Sequence, residues 1–157
     1  GSGPVLAEVQ ALVAKSAYGT PRRSVVGWDS GRLAMLLAVL EARCGITLAG
    51  MDVYLSVAGG YKIMEPAGDL SAAAALLTSL SANPAPERSV FFGEVALSGA
   101  VRPVSRMEQR LKEAERLGFE RAFVPEGAPT AVDGLTVTPI KRLIDLVELL
   151  APDAVNA

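Results

Sequence analysis

The sequence predicts a mixed α/β domain: a mixed sheet with helices packed on it. Two patterns alternate along the chain. Apolar residues recur at period two in residues 4–14 and 52–58, and at helical spacing after Asp29 and from Leu70 onward. Half of the 157 residues are apolar but only 5% are aromatic, so Ala, Val and Leu must fill the interior. That composition suits close-packed helices on a sheet, and the length suits one core. The expected organisation is a cloning remnant, Gly1-Ser2-Gly3, followed by a single domain over residues 4–157.

Residues 4–14 place Val5, Ala7, Val9, Ala11 and Val13 on one side and end at Lys15-Ser16, a strand with one buried face. The turn-rich run Ser16-Ala17-Tyr18-Gly19-Thr20-Pro21 leads through Arg22-Arg23 to a second strand over residues 24–28. Asp29 or Ser30 can cap a helix whose Leu33, Leu36, Leu37 and Leu40 share a face, with Gly45 as its stop. Val53, Leu55 and Val57 mark a third strand, ending at Gly59-Gly60. Residues 70–80 are apolar nearly all round, which predicts a central buried helix broken by Asn83-Pro84-Ala85-Pro86.

Residues 90–97, the Ser98-Gly99-Ala100 turn and residues 101–104 read as one hairpin. Residues 105–117 follow as an amphipathic helix, with Met107, Leu111, Ala114 and Leu117 on one face and Gly118 as C-cap. Short strands at 121–125 and 136–137 precede a last helix, capped by Thr138 with Pro139 in its first turn. The resulting order is β-β-α-β-α-β-β-α-β-β-α, without internal repeats or a long linker.

Cys44 is the only cysteine and there is no histidine. A disulfide framework, a Cys/His zinc site and any histidine-dependent triad are therefore excluded within one chain. The lone thiol fits a reducing, cytoplasmic compartment. No apolar run reaches the length of a membrane span, so no membrane partner is expected. A formal charge of −2 gives no global attraction to nucleic acid, and DNA binding has to come from a local basic patch.

Five stretches carry a family resemblance. They are Leu6-Ala7-Glu8-Val9-Gln10-Ala11-Leu12-Val13, Gly19-Thr20-Pro21-Arg22-Arg23, Arg32-Leu33 with Leu36-Leu37-Ala38-Val39-Leu40-Glu41, Asp52-Val53-Tyr54, and Glu65-Pro66-Ala67. Their order and spacing resemble the C-terminal Lon-protease-like domain of the RadA (Sms) family of bacterial DNA-repair proteins, over nearly the whole chain. The resemblance implies a Lon proteolytic-domain fold, of the ribosomal protein S5 domain 2-like type. It also implies an ATP-driven parent protein acting on recombination intermediates, with this domain scaffolding a hexameric ring. The implied partners are DNA, single-stranded or branched, and further copies of the chain. ATP, Mg and Zn are expected only for the ATPase and zinc-finger domains that precede such a domain, and no cofactor for this one.

Within that resemblance, matching Leu76-Leu77-Thr78-Ser79-Leu80 to the helix of active Lon enzymes puts Ala67 at the nucleophile's place, directly after Pro66. A serine protease needs a hydroxyl there, beside backbone N–H groups that stabilise an oxyanion. Matching Arg102-Pro103-Val104 to the family hairpin puts Glu108 at the place of the lysine, where a neutral amine must accept a proton. Both positions have ordinary alternatives: Ala67 as a small residue at a helix start, and Ser105-Arg106-Met107-Glu108 as a capping box. Ser71 and Lys112, four residues further along, form the alternative of a displaced peptidase dyad. Gly59-Gly60-Tyr61-Lys62 lacks the spaced glycines and the Lys-Ser/Thr ending of a phosphate loop and reads as a turn.

The basic residues are the remaining candidates. Arg22, Arg23, Lys62, Arg102 and Arg106 are candidate phosphate contacts, since guanidinium groups suit phosphate geometry. Solvated surface charge is the plain reading for each, and Arg106, Arg110 and Lys112 alternate with Glu108, Glu113 and Glu115 as on a solvated helix face. Trp28 and Cys44 read as core residues. The expected function is a non-catalytic scaffold and DNA-binding domain; a peptidase with the displaced dyad and a protein-docking adaptor are the alternatives.

Overall fold

A computed structural model describes residues 8–17, 19–58 and 66–155. In chain order the elements are β1 (Glu8–Lys15), β2 (Arg23–Val26), α1 (Ser30–Cys44), β3 (Met51–Ala58), α2 (Asp69–Ser81), β4 (Ser89–Phe91), β5 (Glu94–Val95), β6 (Val101–Arg102), α3 (Met107–Arg116), β7 (Arg121–Pro125), β8 (Thr136–Ile140) and α4 (Leu143–Leu150), then a 3₁₀ turn at Pro152–Ala154. The expected mixed α/β class is what the chain adopts.

The first sheet has the order β1-β3-β2, with β1 antiparallel and β2 parallel to the central β3. Its inward positions are the apolar alternation of the sequence: Val13, Val53 and Leu55 are buried, and Val9, Ala11 and Val25 pack beside them. Helix α1 begins where Asp29 accepts the Arg32 backbone N–H at 2.8 Å and ends at Gly45 with φ 70°, both as the capping pattern predicts. Gly27, φ 80°, sits where any Cβ would run into the Val57 carbonyl, so β2 can lie this close to β3 only with glycine there. Helix α2 buries Leu70, Ala72, Ala73, Ala74, Leu76 and Leu77, and Ser79 Oγ accepts the Val13 N–H at 2.9 Å, tying the helix to β1.

The second sheet, β4-β7-β8, is all parallel and covered on both faces. Phe91, Phe123 and Ile140 face the main core with α2 and α4, whereas Val90, Phe92, Ala122 and Val124 face Met107, Leu111 and Ala114 of α3. Across this sheet the paired Phe91 and Phe123 rings stack with centroids 4.9 Å apart.

Four local expectations are corrected. Residues 90–97 are not one strand: β4 pairs with β7, and after a break at Phe92-Gly93 the two-residue β5 pairs with β6. The cause is tertiary, because the Gly93 N–H and C=O bond to the start of α2 rather than to a neighbouring strand. Three strands therefore separate α2 from α3 instead of two. Thr138 and Pro139 do not open the last helix; they pair with Phe123 and Val124 in β8, an edge position that tolerates a residue without an N–H. Helix α4 starts after Arg142, whose N–H is bonded by Asp145 Oδ2 at 3.0 Å. The predicted Ser105–Glu108 capping box is absent: Arg106 adopts φ 58° as the residue before α3 and no side chain caps that end. Glu108 instead pairs with Lys112 Nζ at 3.1 Å.

The remaining boundaries move by small amounts. The first strand runs to Lys15, and its predicted start at residues 4–7 lies outside the described residues, as does Tyr18 in the turn. The strand predicted at 136–137 extends to Ile140. Cys44 is buried in the main core as expected, while Trp28 is half-buried against its edge.

Candidate functional site

The start of α2 is a tightly stitched corner. Ala67 is buried, at 2% exposure, and its carbonyl accepts the Gly93 N–H at 3.3 Å. The Leu70 N–H returns a bond to the Gly93 carbonyl at 3.1 Å, the Asp69 N–H bonds to Pro66 O at 3.1 Å, and the Ala72 N–H bonds to Gly68 O at 2.9 Å. Glycine at position 93 permits this approach, since a Cβ there would lie 2.8 Å from Val101 Cγ1 and 3.5 Å from Leu70. The amides of Asp69, Leu70 and Ala72, which at an open helix start would face a ligand, are thus taken by the fold itself.

Asp69 is the one charged side chain fully buried among the described residues. Its Oδ1 accepts Arg32 Nε at 2.8 Å, and its Oδ2 accepts both the second Arg32 nitrogen and the Val95 N–H, the latter at 2.9 Å. One carboxylate therefore joins α1, α2 and β5, and the bidentate geometry offsets its desolvation. Nothing in the residue types alone pairs position 32 with position 69; the resemblance drew Arg32 in as a motif letter without a role.

Ser71 lies half-buried on α2, beside the main core, whereas Lys112 is exposed on α3, the helix that covers the second sheet's other face, and it is paired with Glu108. Alanine at 67 carries no hydroxyl, and Glu108 is 67% exposed on the α3 surface. On the same helix Glu113 is hydrogen-bonded to Arg116 Nε at 3.0 Å, which holds the Glu113 carboxyl below the usual carboxylate range.

The basic candidates fall on different elements. Arg22 and Arg23 stand at the start of β2, both exposed. The Arg22 N–H bonds to Asp52 Oδ1 at 2.7 Å, and no described contact occupies its side chain. Arg23 is committed: its guanidinium donates to the Leu48 carbonyl at 3.2 Å and to that of Met51, bracing the turn before β3. Arg102 is exposed on β6 opposite Glu94 of β5, and Arg106 is exposed just before α3. Arg110 donates through Nε to Ser105 O at 2.8 Å; its burial, and then the nearby Arg106 charge, push its guanidinium pKa down. Lys62 lies outside the described residues, with Gly59, Gly60, Tyr61 and Glu65.

The family model ChlI, described as subunit ChlI of Mg-chelatase, matches residues 36–128, more than half of the chain. The chain belongs to this ChlI family. It is also 62% identical over 128 residues to DNA repair protein RadA of Brucella abortus, covering 82% of this chain and 27% of the relative. Identity to DNA repair protein RadA of Rickettsia conorii is 48% over 150 residues, 96% of this chain and 33% of the relative. For the protein of that name from Aquifex aeolicus it is 44% over 150 residues, 96% and 34%. The RadA resemblance carried by the sequence motifs is thereby borne out, and the chain spans about a third or less of the length of these relatives.

Among the described residues of this ChlI-family chain, no three His, Cys, Asp or Glu side chains converge as metal ligands, and no helix is long and apolar enough to cross a membrane. The fold also assembles a basic group that sequence reading missed. Arg43 Nε, at the end of α1, donates to Leu97 O at 3.1 Å, and an Arg142 guanidinium nitrogen donates to Ser98 O at 2.9 Å. The available signal was weak: Lys141-Arg142 is a basic pair, and Arg43 is a basic last-turn residue of a helix. Arg142 also lies near the Cys44 thiol. Burial pushes that thiol up to about 11, and the arginine charge opposes part of the rise.

Proposed function

We propose that this chain is a non-catalytic scaffold and DNA-binding domain, Lon-protease-like in descent, of a RadA-type ATP-dependent repair and recombination protein. The observation that carries the reading is the closed corner at Ala67. The position matched to the nucleophile has no hydroxyl and is buried, and the Leu70 amide beside it is held by Gly93. Peptide hydrolysis needs both an activated nucleophile and free donors for the oxyanion. Here the same segment does structural work, and Asp69 replaces chemistry with a three-element joint.

In this reading the domain is the C-terminal part of a cytoplasmic protein, with residues 4–157 as one unit. It has no cofactor of its own, and ATP, Mg and Zn belong to other domains of the parent. Its ligand is single-stranded or branched DNA in branch migration, met by Arg22, Lys62, Arg102 and Arg106, with Arg23 bracing the neighbouring turn before β3. Assembly into a hexameric ring is supported by the outward side of the first sheet. Leu12 and Val26 are exposed there, 55% and 65%, to either side of half-buried Tyr54.

Light scattering of the chain at increasing concentration, repeated with Leu12→Lys and Val26→Lys, tests the assembly. Concentration-dependent mass that the two substitutions abolish supports it, and a strict monomer at high concentration contradicts it. Fluorogenic peptide and casein hydrolysis tests the non-catalytic part: turnover lost in Ser71→Ala would establish the displaced dyad instead.

A further inference from the structure

The β5–β6 hairpin ends in a tip, residues 96–100, held from both sides by arginines. Within the tip, the Ala96 N–H bonds to Ala100 O and the Gly99 N–H to Ala96 O, each at 2.9 Å, and Gly99 takes φ 89°. Outside it, Arg43 holds Leu97 O and Arg142 holds Ser98 O, while the Leu143 N–H bonds to Gly99 O at 2.8 Å and the Val101 N–H to Lys141 O at 3.0 Å. The backbone of the tip is thus fixed to α1 and to the start of α4, 40 or more residues away on each side.

What this rigid tip presents is unusual for a surface turn. Leu97 is 70% exposed, the most exposed of the large apolar side chains among the described residues. It is flanked by Arg43 and Arg142, with exposed Lys141 and Arg102 on the strands and turn beside them. Four positive charges stand here against Glu94 opposite Arg102 and Asp145 at the α4 cap. The net excess is local, in a chain whose formal charge is −2. Arg43 and Arg142 each spend one donor group on the tip and keep further guanidinium N–H groups directed by that anchoring, so their geometry is set before any ligand arrives.

We infer that this tip is a nucleic-acid contact: Arg43, Arg142, Lys141 and Arg102 take backbone phosphates, and Leu97 packs against an unstacked base. Apolar side chains inserted at base steps and guanidinium groups on phosphates are the two components such contacts combine. A fixed apolar tip favours single-stranded or junction DNA, whose bases are accessible, over a continuous duplex. The inference rests on the DNA-binding reading above but adds residues and a mode that the reading does not contain.

The test is fluorescence anisotropy of a labelled 20-nucleotide single strand and the matching duplex, titrated with the chain over a range of salt. The variants are Leu97→Ser and the pair Lys141→Gln with Arg102→Gln, all changing side chains that make no described bond within the fold. Circular dichroism melting of each variant confirms that the fold is retained. The charge pair should weaken single-strand binding about tenfold at 0.1 M salt and flatten the log–log salt slope by about 1.4, roughly 0.7 per lost phosphate contact. Leu97→Ser should weaken single-strand binding several-fold with the slope unchanged, and leave duplex binding unaltered. Wild-type binding that none of these substitutions moves overturns the tip as a contact and takes Arg102 out of the DNA-binding reading, which then stands on Arg22, Lys62 and Arg106. Absence of any DNA binding by the wild type overturns both.

Discussion

Arg32 and Asp69 lock together at the start of α2, the guanidinium meeting both carboxylate oxygens of a side chain with no solvent exposure. Such a pair is costly to break, because removing one partner leaves an uncompensated charge in the interior. Arg32→Met should therefore lower unfolding free energy by about 3 kcal/mol, toward the low side of the usual range since Arg32 keeps 25% of its side chain in water. Arg32→Met with Asp69→Leu should lose less than the single variant. Urea denaturation of the two variants measures the difference.

Supplying the groups that the proposed Lon-like reading expects at these two positions should not create a protease. Ala67→Ser places a hydroxyl at a buried position, at a cost of about 1–3 kcal/mol if it finds no partner. Glu108→Lys exchanges an ion pair with Lys112 for repulsion on an exposed helix face. The expected result for the double variant is hydrolysis of a fluorogenic peptide no faster than buffer, with a lowered melting temperature.

The Cys44 thiol carries a pH dependence. Its ordinary value of 9.0 rises to about 11 in the fold through burial, so between those values the folded state holds a proton that the unfolded state has released. Stability from this group is complete below pH 9 and is lost as pH climbs through about 11, by at most about 3 kcal/mol. Cys44→Ala should flatten the decline over that window in pH-dependent chemical denaturation. For the same reason, thiol reagents at pH 8 should label the native chain far more slowly than the unfolded chain.

Gly27 tests the geometry of the first sheet. A positive φ combined with a Cβ directed at the Val57 carbonyl makes Gly27→Ala destabilising by at least about 2 kcal/mol. A control at Gly50, φ 79° with open space around it, should cost less, since only the backbone preference is lost. Thermal melts of the two variants side by side check the ordering.

Legibility followed the range of the forces involved. Helix α1 could be read to within a residue at its start and to Gly45 at its end, because capping residues act on their own neighbours. Helix α2 was legible from its unbroken apolar run. The break at Gly93 was not, because what stops the strand is the Ala67 and Leu70 backbone, more than 20 residues away. The same holds for Thr138 and Pro139, which obey local helix-start chemistry yet are claimed by pairing with β7. At the candidate site, Ala67 and Glu108 were singled out only through the family resemblance, and the Asp69 joint and the Arg23 brace appeared only in three dimensions. Pairings such as Arg43 with Leu97 leave no periodic trace in sequence.

DNA affinity and its salt dependence bear most directly on the central claim, measured by anisotropy of a single-stranded oligonucleotide with the wild type and with Arg22→Ala. Binding that weakens linearly in log–log form with salt, and a slope flattened by about 0.7 in the variant, is the predicted result. No detectable binding at 50 mM salt, or affinity indifferent to salt, would contradict the account.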